Sequence, residues 1–210
     1  MTELLVTRPD YDDTTFYLCE WAEDVIQAAK SLGHSVIDLK RERANRKNFE
    51  GILNGKNPDV LFLNGHGTEF TLHGHNNEQI LDLKNMHLLA RKVVYVRSCR
   101  TAKILGFESV KEGISKAFIG YKSDFIFPFD SRKTATPKED KVCEPVLSSS
   151  NLVVKSLMHG KTPKESYESS QKSYESFIMK WAKSKELEAP HILKFLIWNK
   201  VNQVLYENTN

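Results

Sequence analysis

Cysteine is scarce in this chain: Cys19, Cys99 and Cys143 are the only three, widely spaced and without a CxxC pair. An odd, scattered set does not make a disulfide framework, and a reducing compartment is expected. No apolar run approaches the about 20 residues that a membrane helix needs. The opening stretch MTELLVTRPDYDD is acidic and too short in apolar residues for a signal peptide. Neither sign of charge dominates: 30 basic against 27 acidic residues leave a formal net charge of +3. That excess is too weak for a nucleic-acid footprint. A Gly-rich phosphate loop after the first strand is also missing, which argues against a flavodoxin-like nucleotide binder. No repeat or low-complexity segment stands out. These absences predict a cytoplasmic protein with neither nucleic-acid nor membrane partners.

Of the 210 residues, 40% are hydrophobic, enough for one sizeable core, so residues 1–210 are expected to form one domain. Leu4–Val6, Val36–Leu39 and Val60–Leu63 read as short buried strands. Between them, Leu18, Ala22, Val25, Ala29 and Leu32 keep helical spacing, with Asp13 or Thr14 as cap and Gly33 as stop. Phe49, Ile52 and Leu53 suggest a second helix ending near Gly55. Alternating strands and helices of this size imply a parallel α/β sheet whose ligands sit at the carboxyl ends of the strands.

Further on, Ile80–Leu83 reads as an edge strand and Val93–Val96 as a core strand. Val110, Ile114, Ala117 and Phe118 read as a helix, and Phe125–Phe127 as a fifth core strand. Ser131–Asp140 is polar and charged and reads as an exposed loop. Leu152, Leu157 and Met158 begin a helical region that Gly160 and Pro163 break. Thr162-Pro163-Lys164-Glu165 has the form of a capped helix start. The end, ILKFLIWNKVNQVLYEN, is rich in strand formers, with a polar turn at Asn199-Lys200, and reads as a β-hairpin.

Two core strands run into reactive side chains. Val60–Leu63 leads to Asn-Gly-His-Gly, which holds His66 between two glycines. Val93–Val96 leads to Arg97-Ser98-Cys99. An imidazole can generate a thiolate nucleophile and then protonate a leaving amine. The N–H groups of Gly67 and Cys99 are candidates for stabilising an oxyanion. A zinc site drawing on His66, His73, His75 and Cys99 is a rival, although the spacing lacks a recognisable ligand pattern. His73 and His75 also compete with His66 as the base. A purely structural His and Cys is the third reading. Cys19, on a helix's apolar face, reads as core, and Cys143 has no evident base.

The stretches ending in His66-Gly67 and "VVYVRSCRTAKILG" together resemble the caspase-like cysteine peptidases (clan CD), most of all the CHAT branch near the separases. There the cysteine commonly sits in an "SACxTA"-like context. "GISKAFIG" and "NLVVKSLMHGKTPKESYESSQK" resemble that branch's following segments, so the likeness spans roughly residues 61–172. The resemblance implies a three-layer α/β/α caspase-like fold with a mostly parallel central sheet and a C-terminal β-hairpin. It implies a cysteine endopeptidase that cuts a protein or peptide substrate with a His66–Cys99 dyad, without cofactor or metal, and it leaves room for a regulatory protein partner. The alternative is a catalytically inactive caspase-fold binding module.

In several relatives the residue two before the nucleophile lines the primary specificity pocket. Caspases add an arginine from the loop after the first strand. The matching Arg97 and Arg8 would favour Asp or Glu before the scissile bond. Nearby acids (Asp10, Asp12, Asp13, Asp124 and Asp130) argue instead for a basic substrate residue held by an acid such as Asp130. Arg97 as a surface ion-pair partner is the bland alternative.

Overall fold

A computed structural model describes residues 2–208. Six strands form the main sheet in the order β2-β1-β3-β6-β7-β8. These are β1 (Glu3–Arg8), β2 (Ser35–Lys40), β3 (Val60–Asn64), β6 (Val93–Arg97), β7 (Ala117–Tyr121) and β8 (Gln203–Glu207). All neighbours run parallel except β8, which lies antiparallel against β7. Between β3 and β6 the chain makes a separate two-stranded ribbon, β4 (Thr71–His73) and β5 (Gln79–Asp82).

Helices cover both faces of the sheet, as alternation along each strand requires. Leu4, Val6, Phe62, Tyr95 and Ile119 face α1 (Asp13–Ser31), α4 (Glu144–Met158), α5 (Pro163–Ala182) and α6 (Ala189–Asn202). Leu5, Leu61, Leu63, Val94 and Phe118 face α2 (Arg46–Gly55), α3 (Leu105–Lys111) and the β4–β5 ribbon. The result is a three-layer α/β/α arrangement. No helix among the described residues is long and apolar enough to cross a membrane.

Local signals account for the helix ends. Asp12, one residue before the expected caps, begins α1. Its side chain accepts the Thr15 N–H, and the Thr15 side chain returns the bond to the Asp12 N–H. Thr162 and Glu165 form the expected capping box on α5.

Three expectations are corrected. Ala117 and Phe118 belong to β7, because Gly113 (φ 67°) ends the helical turn and the wholly buried AFIGY run pairs with strands on both sides. Phe125–Phe127 then falls outside any strand and packs its aromatic rings under α1 and β7. The run ILKFLIWNKVN is helix, not the first arm of a hairpin. Ile192, Leu196 and Asn199 recur at helical spacing and form its buried side, and this outweighs strand propensity. The antiparallel C-terminal pairing is present, but the partner of β8 is β7.

The Ser131–Asp140 segment is exposed at residues 131, 132, 135, 136, 138 and 139, as expected, but fastened at Pro137 and Asp140. Trp21 Nε1 donates to Pro137 O (3.1 Å), and Tyr17 Oη donates to the buried Asp140 (2.9 Å).

Candidate active site

The pair Asn64↔Arg97 ends the β3–β6 ladder. His66 and Cys99 therefore each stand two residues past the same rung, at the carboxyl edge of the sheet, where parallel strands present ligand sites.

A buried polar latch lies under this edge. Asn64 Nδ2 donates to Thr7 O (2.8 Å), and Asn64 N–H donates to Thr7 Oγ1 (2.8 Å). Arg97 Nε donates to Asn64 Oδ1 (2.8 Å), Nη1 to Asn151 Oδ1 (2.9 Å) and Nη2 to Leu18 O (2.8 Å). Its guanidinium also lies over the Phe62 ring, 5.0 Å from the centroid. β3, β6, α1 and α4 thus meet on the Arg97 side chain, and β1 joins through Asn64.

Both glycines around His66 are required by close approach. Gly65 has φ 153°, and a Cβ there would stand 1.9 Å from His73 O. The His73 N–H, in turn, holds His66 O (2.9 Å). At Gly67 a Cβ would meet Cys99 O at 2.7 Å, Ser98 Oγ at 2.7 Å and Thr101 Cγ2 at 2.8 Å. The histidine turn and the cysteine turn are therefore pressed together, backbone to backbone. The short ladder beyond uses Thr68 N–H and His73 N–H and leaves the Gly67 N–H out.

The His66 ring is oriented from the other side. Nε2 lies 2.7 Å from Asp12 Oδ2, while Asp12 Oδ1 accepts the Thr15 N–H (2.7 Å). Burial pushes the Asp12 carboxyl up. The Thr15 and His66 contacts outweigh this and hold it below its usual range. Tyr11 stands edge-on to His66, with ring centroids 6.0 Å apart, and edge-on to His75 at 5.6 Å. The side chains of His66 and Asp12 are 38% and 39% exposed, so solvent reaches the ring.

The Cys99 thiol donates to Phe125 O at 3.8 Å. Burial, and after it the Asp124 carboxylate, pushes the thiol up to about 11. Among the described residues no hydrogen bond joins it to His66. Arg100 follows in the left-handed region (φ 58°), with Nε paired to Asp124 Oδ1 (3.0 Å) and N–H bound to Ser123 O (3.1 Å). The segment from Lys122 to Ile126 is a strap. It holds the cysteine turn on one side and α6 on the other. Lys122 N–H donates to Asn202 O, Trp198 Nε1 to Asp124 O (2.8 Å) and Asn199 Nδ2 to Ile126 O (2.5 Å).

Two of the expected specificity residues, Arg97 and Arg8, are committed inside the fold. Arg97 is fully buried in the latch, so it neither lines an open pocket nor pairs at the surface. Arg8 is buried too. It is bound to Glu23 (2.6 Å), to Asp38 and to Cys19 O. Both side chains come from strands enclosed by helices on two faces, which leaves them no route to solvent. Asp130 is held by the Arg132 side chain (2.8 Å), which draws its carboxyl down to about 2. Its N–H donates to Asp140 Oδ2 (2.8 Å).

His73 bonds Thr71 Oγ1 (2.8 Å) and Asn77 (2.9 Å to Oδ1), and His75 Nδ1 accepts the Asp10 N–H (3.3 Å). Among the described residues no three His, Cys, Asp or Glu side chains converge as metal ligands. Cys19 and Cys143 are buried, and burial pushes both thiols up.

Reading the residues in sequence missed Asp12 as the ring's partner, and missed Asn64 and Asn151 in the latch. Asp12 carried one usable signal, an N-cap spacing to Thr15 at the same sheet edge as His66. Nothing in the sequence links residue 151 to residue 97. No protein-family model matches the chain, and no curated protein matches it.

Proposed function

We propose that the chain is a cysteine endopeptidase that hydrolyses peptide bonds in a protein substrate, with Cys99 as nucleophile and His66 as general base and acid. The observation that carries this reading is the shared rung. His66 and Cys99 leave neighbouring parallel strands at the same level, on turns that touch through Gly67. The three-layer architecture and mostly parallel sheet agree with what the resemblance to caspase-like peptidases implies.

The imidazole takes the thiol proton, and the thiolate attacks the substrate carbonyl carbon. The N–H groups of Gly67 and Cys99 receive the developing oxyanion. The ring then gives its proton to the departing amine, and water hydrolyses the thioester. A thiol pushed up to about 11 supplies little thiolate by itself at neutral pH, so the chemistry depends on the ring. An acidic preference resting on Arg97 or Arg8 is not part of the proposal, because both guanidinium groups are committed inside the fold.

The second reading, an inactive binding module of the same fold, is favoured by one observation: the thiol bonds Phe125 O rather than the ring. A peptide carrying an electrophile separates the two. The peptidase reading expects covalent labelling at Cys99 that disappears in Cys99→Ala and falls about 10²- to 10⁴-fold in His66→Ala. It expects little change in His73→Ala or His75→Ala. Folded protein that takes no label at Cys99 from a panel of such peptides supports the module.

A further inference from the structure

We propose that Asp12 is a positioning residue: it holds the neutral His66 ring as the Nε2–H tautomer and leaves Nδ1 as the atom that takes the Cys99 proton. This rests on the peptidase reading for its role, but not for its structural content.

Asp12 Oδ2 is 2.7 Å from Nε2. A carboxylate only accepts, so the ring must present N–H to it. The opposite tautomer would set a nitrogen lone pair against an anionic oxygen. Nδ1 has no protein partner among the described residues, so its lone pair stays available.

The carboxylate itself is well anchored. Oδ1 accepts from Thr15 N–H (2.7 Å) and from Thr15 Oγ1 (2.8 Å). Asp12 also stands at the N-cap of the 19-residue α1, where the positive end of the helix dipole favours a negative charge. Tyr11, edge-on to the ring, limits its rotation. Each proton is accounted for. The Nε2 proton stays between ring and carboxylate, the thiol proton moves to Nδ1, and Nδ1 later passes it to the leaving amine.

Because Asp12 also caps α1, a test must keep the cap. Asn and Ser are both good N-caps. In Asp12→Asn the amide oxygen is retained by the Thr15 N–H, which turns the amide N–H toward Nε2 and makes that nitrogen the acceptor. In Asp12→Ser the cap survives and the ring contact is lost.

The tautomer is read from the ¹⁵N shifts of His66 at a pH where the ring is neutral, in the full chain, alongside labelling of Cys99 by an electrophilic peptide. The expected result is Nε2–H in the unaltered protein, Nδ1–H in Asp12→Asn, and a mixture in Asp12→Ser. Labelling should fall about 10²- to 10⁴-fold in Asp12→Asn and about tenfold in Asp12→Ser. Thermal unfolding near that of the unaltered protein would show the cap intact. Nδ1–H in the unaltered protein overturns the proposal, as does Nε2–H retained in Asp12→Asn. A switched tautomer with unchanged labelling overturns the positioning role. If the unaltered protein takes no label at all, the peptidase reading fails, and the ¹⁵N shifts still decide whether Asp12 sets the ring.

Discussion

Replacing Gly67 with alanine adds one methyl group at the point where the His66 turn meets the Cys99 turn. The backbone at Gly67 lies outside the left-handed region, so alanine meets no conformational penalty there and the effect is steric. The methyl would stand 2.7 Å from Cys99 O and from Ser98 Oγ. Ordinary contacts for such atoms are about 3.5 Å, so the two turns must part by somewhat under about 1 Å. Backbone on both sides, held by β3 and β6, absorbs that badly, and overpacking of this kind costs about 1–3 kcal/mol. For a domain of this size that is a fall in Tm of roughly 2–12 °C. A shift of about 1 Å between reacting groups costs roughly 10²-fold in rate. The assay pairs a thermal melt with electrophilic labelling of Cys99. Gly51→Ala is the control: nothing lies within 4 Å of its Cβ, and its place inside α2 should give a gain of about 0.5–1 kcal/mol. Gly67→Ala with an unchanged melt and unchanged labelling would refute the claimed contact between the turns.

Alkylation of Cys99 by iodoacetamide in His66→Ala should rise about tenfold per pH unit up to about pH 10, because only thiolate reacts and the thiol is pushed up to about 11. A plateau near about pH 8.5, the range of an ordinary thiol, would contradict the burial and the Asp124 contact. Arg97→Met should lower stability by about 2–5 kcal/mol in urea unfolding, since it strands Asn64 Oδ1, Asn151 Oδ1 and Leu18 O inside the fold. A change under about 0.5 kcal/mol would mean that the latch does not bind the layers together.

Much of this architecture was legible because buried parallel strands are short, continuous apolar runs. Val60–Leu63 and Val93–Val96 could hardly be anything else, and their ends delivered His66 and Cys99 to the right edge. The errors fell where two periods fit the same residues. Ala117 and Phe118 satisfy a helix continued from Val110 as well as a strand, and only the sheet partners on both sides decide. The ILKFLIW run favours strand by composition, while its buried positions alternate at three and four residues. The arginines failed for another reason. Charge type in a sequence says nothing about direction, and Arg97 ends a strand covered on both faces. Its partners come from Leu18, Asn64 and Asn151, far apart in the chain. The Asp12–His66 contact is likewise a meeting through space that no local pattern announces.

The strap from Lys122 to Ile126 gives Cys99 a hydrogen-bonded connection that bypasses the sheet. Phe125 O holds the thiol, and Ser123 O holds the next residue's N–H. The same few residues hang from Trp198, Asn199 and Asn202 on the last helix. Trp198 is 40% exposed and its neighbour Val201 is 71% exposed, so the loaded end of this linkage lies at the protein's surface. From Trp198 to the sulfur the path crosses two hydrogen bonds, Trp198 Nε1 to Asp124 O and Cys99 Sγ to Phe125 O, joined by a single peptide link. His66 and Cys99 thus share one anchor in the sheet, while the cysteine turn alone has a second anchor in α6.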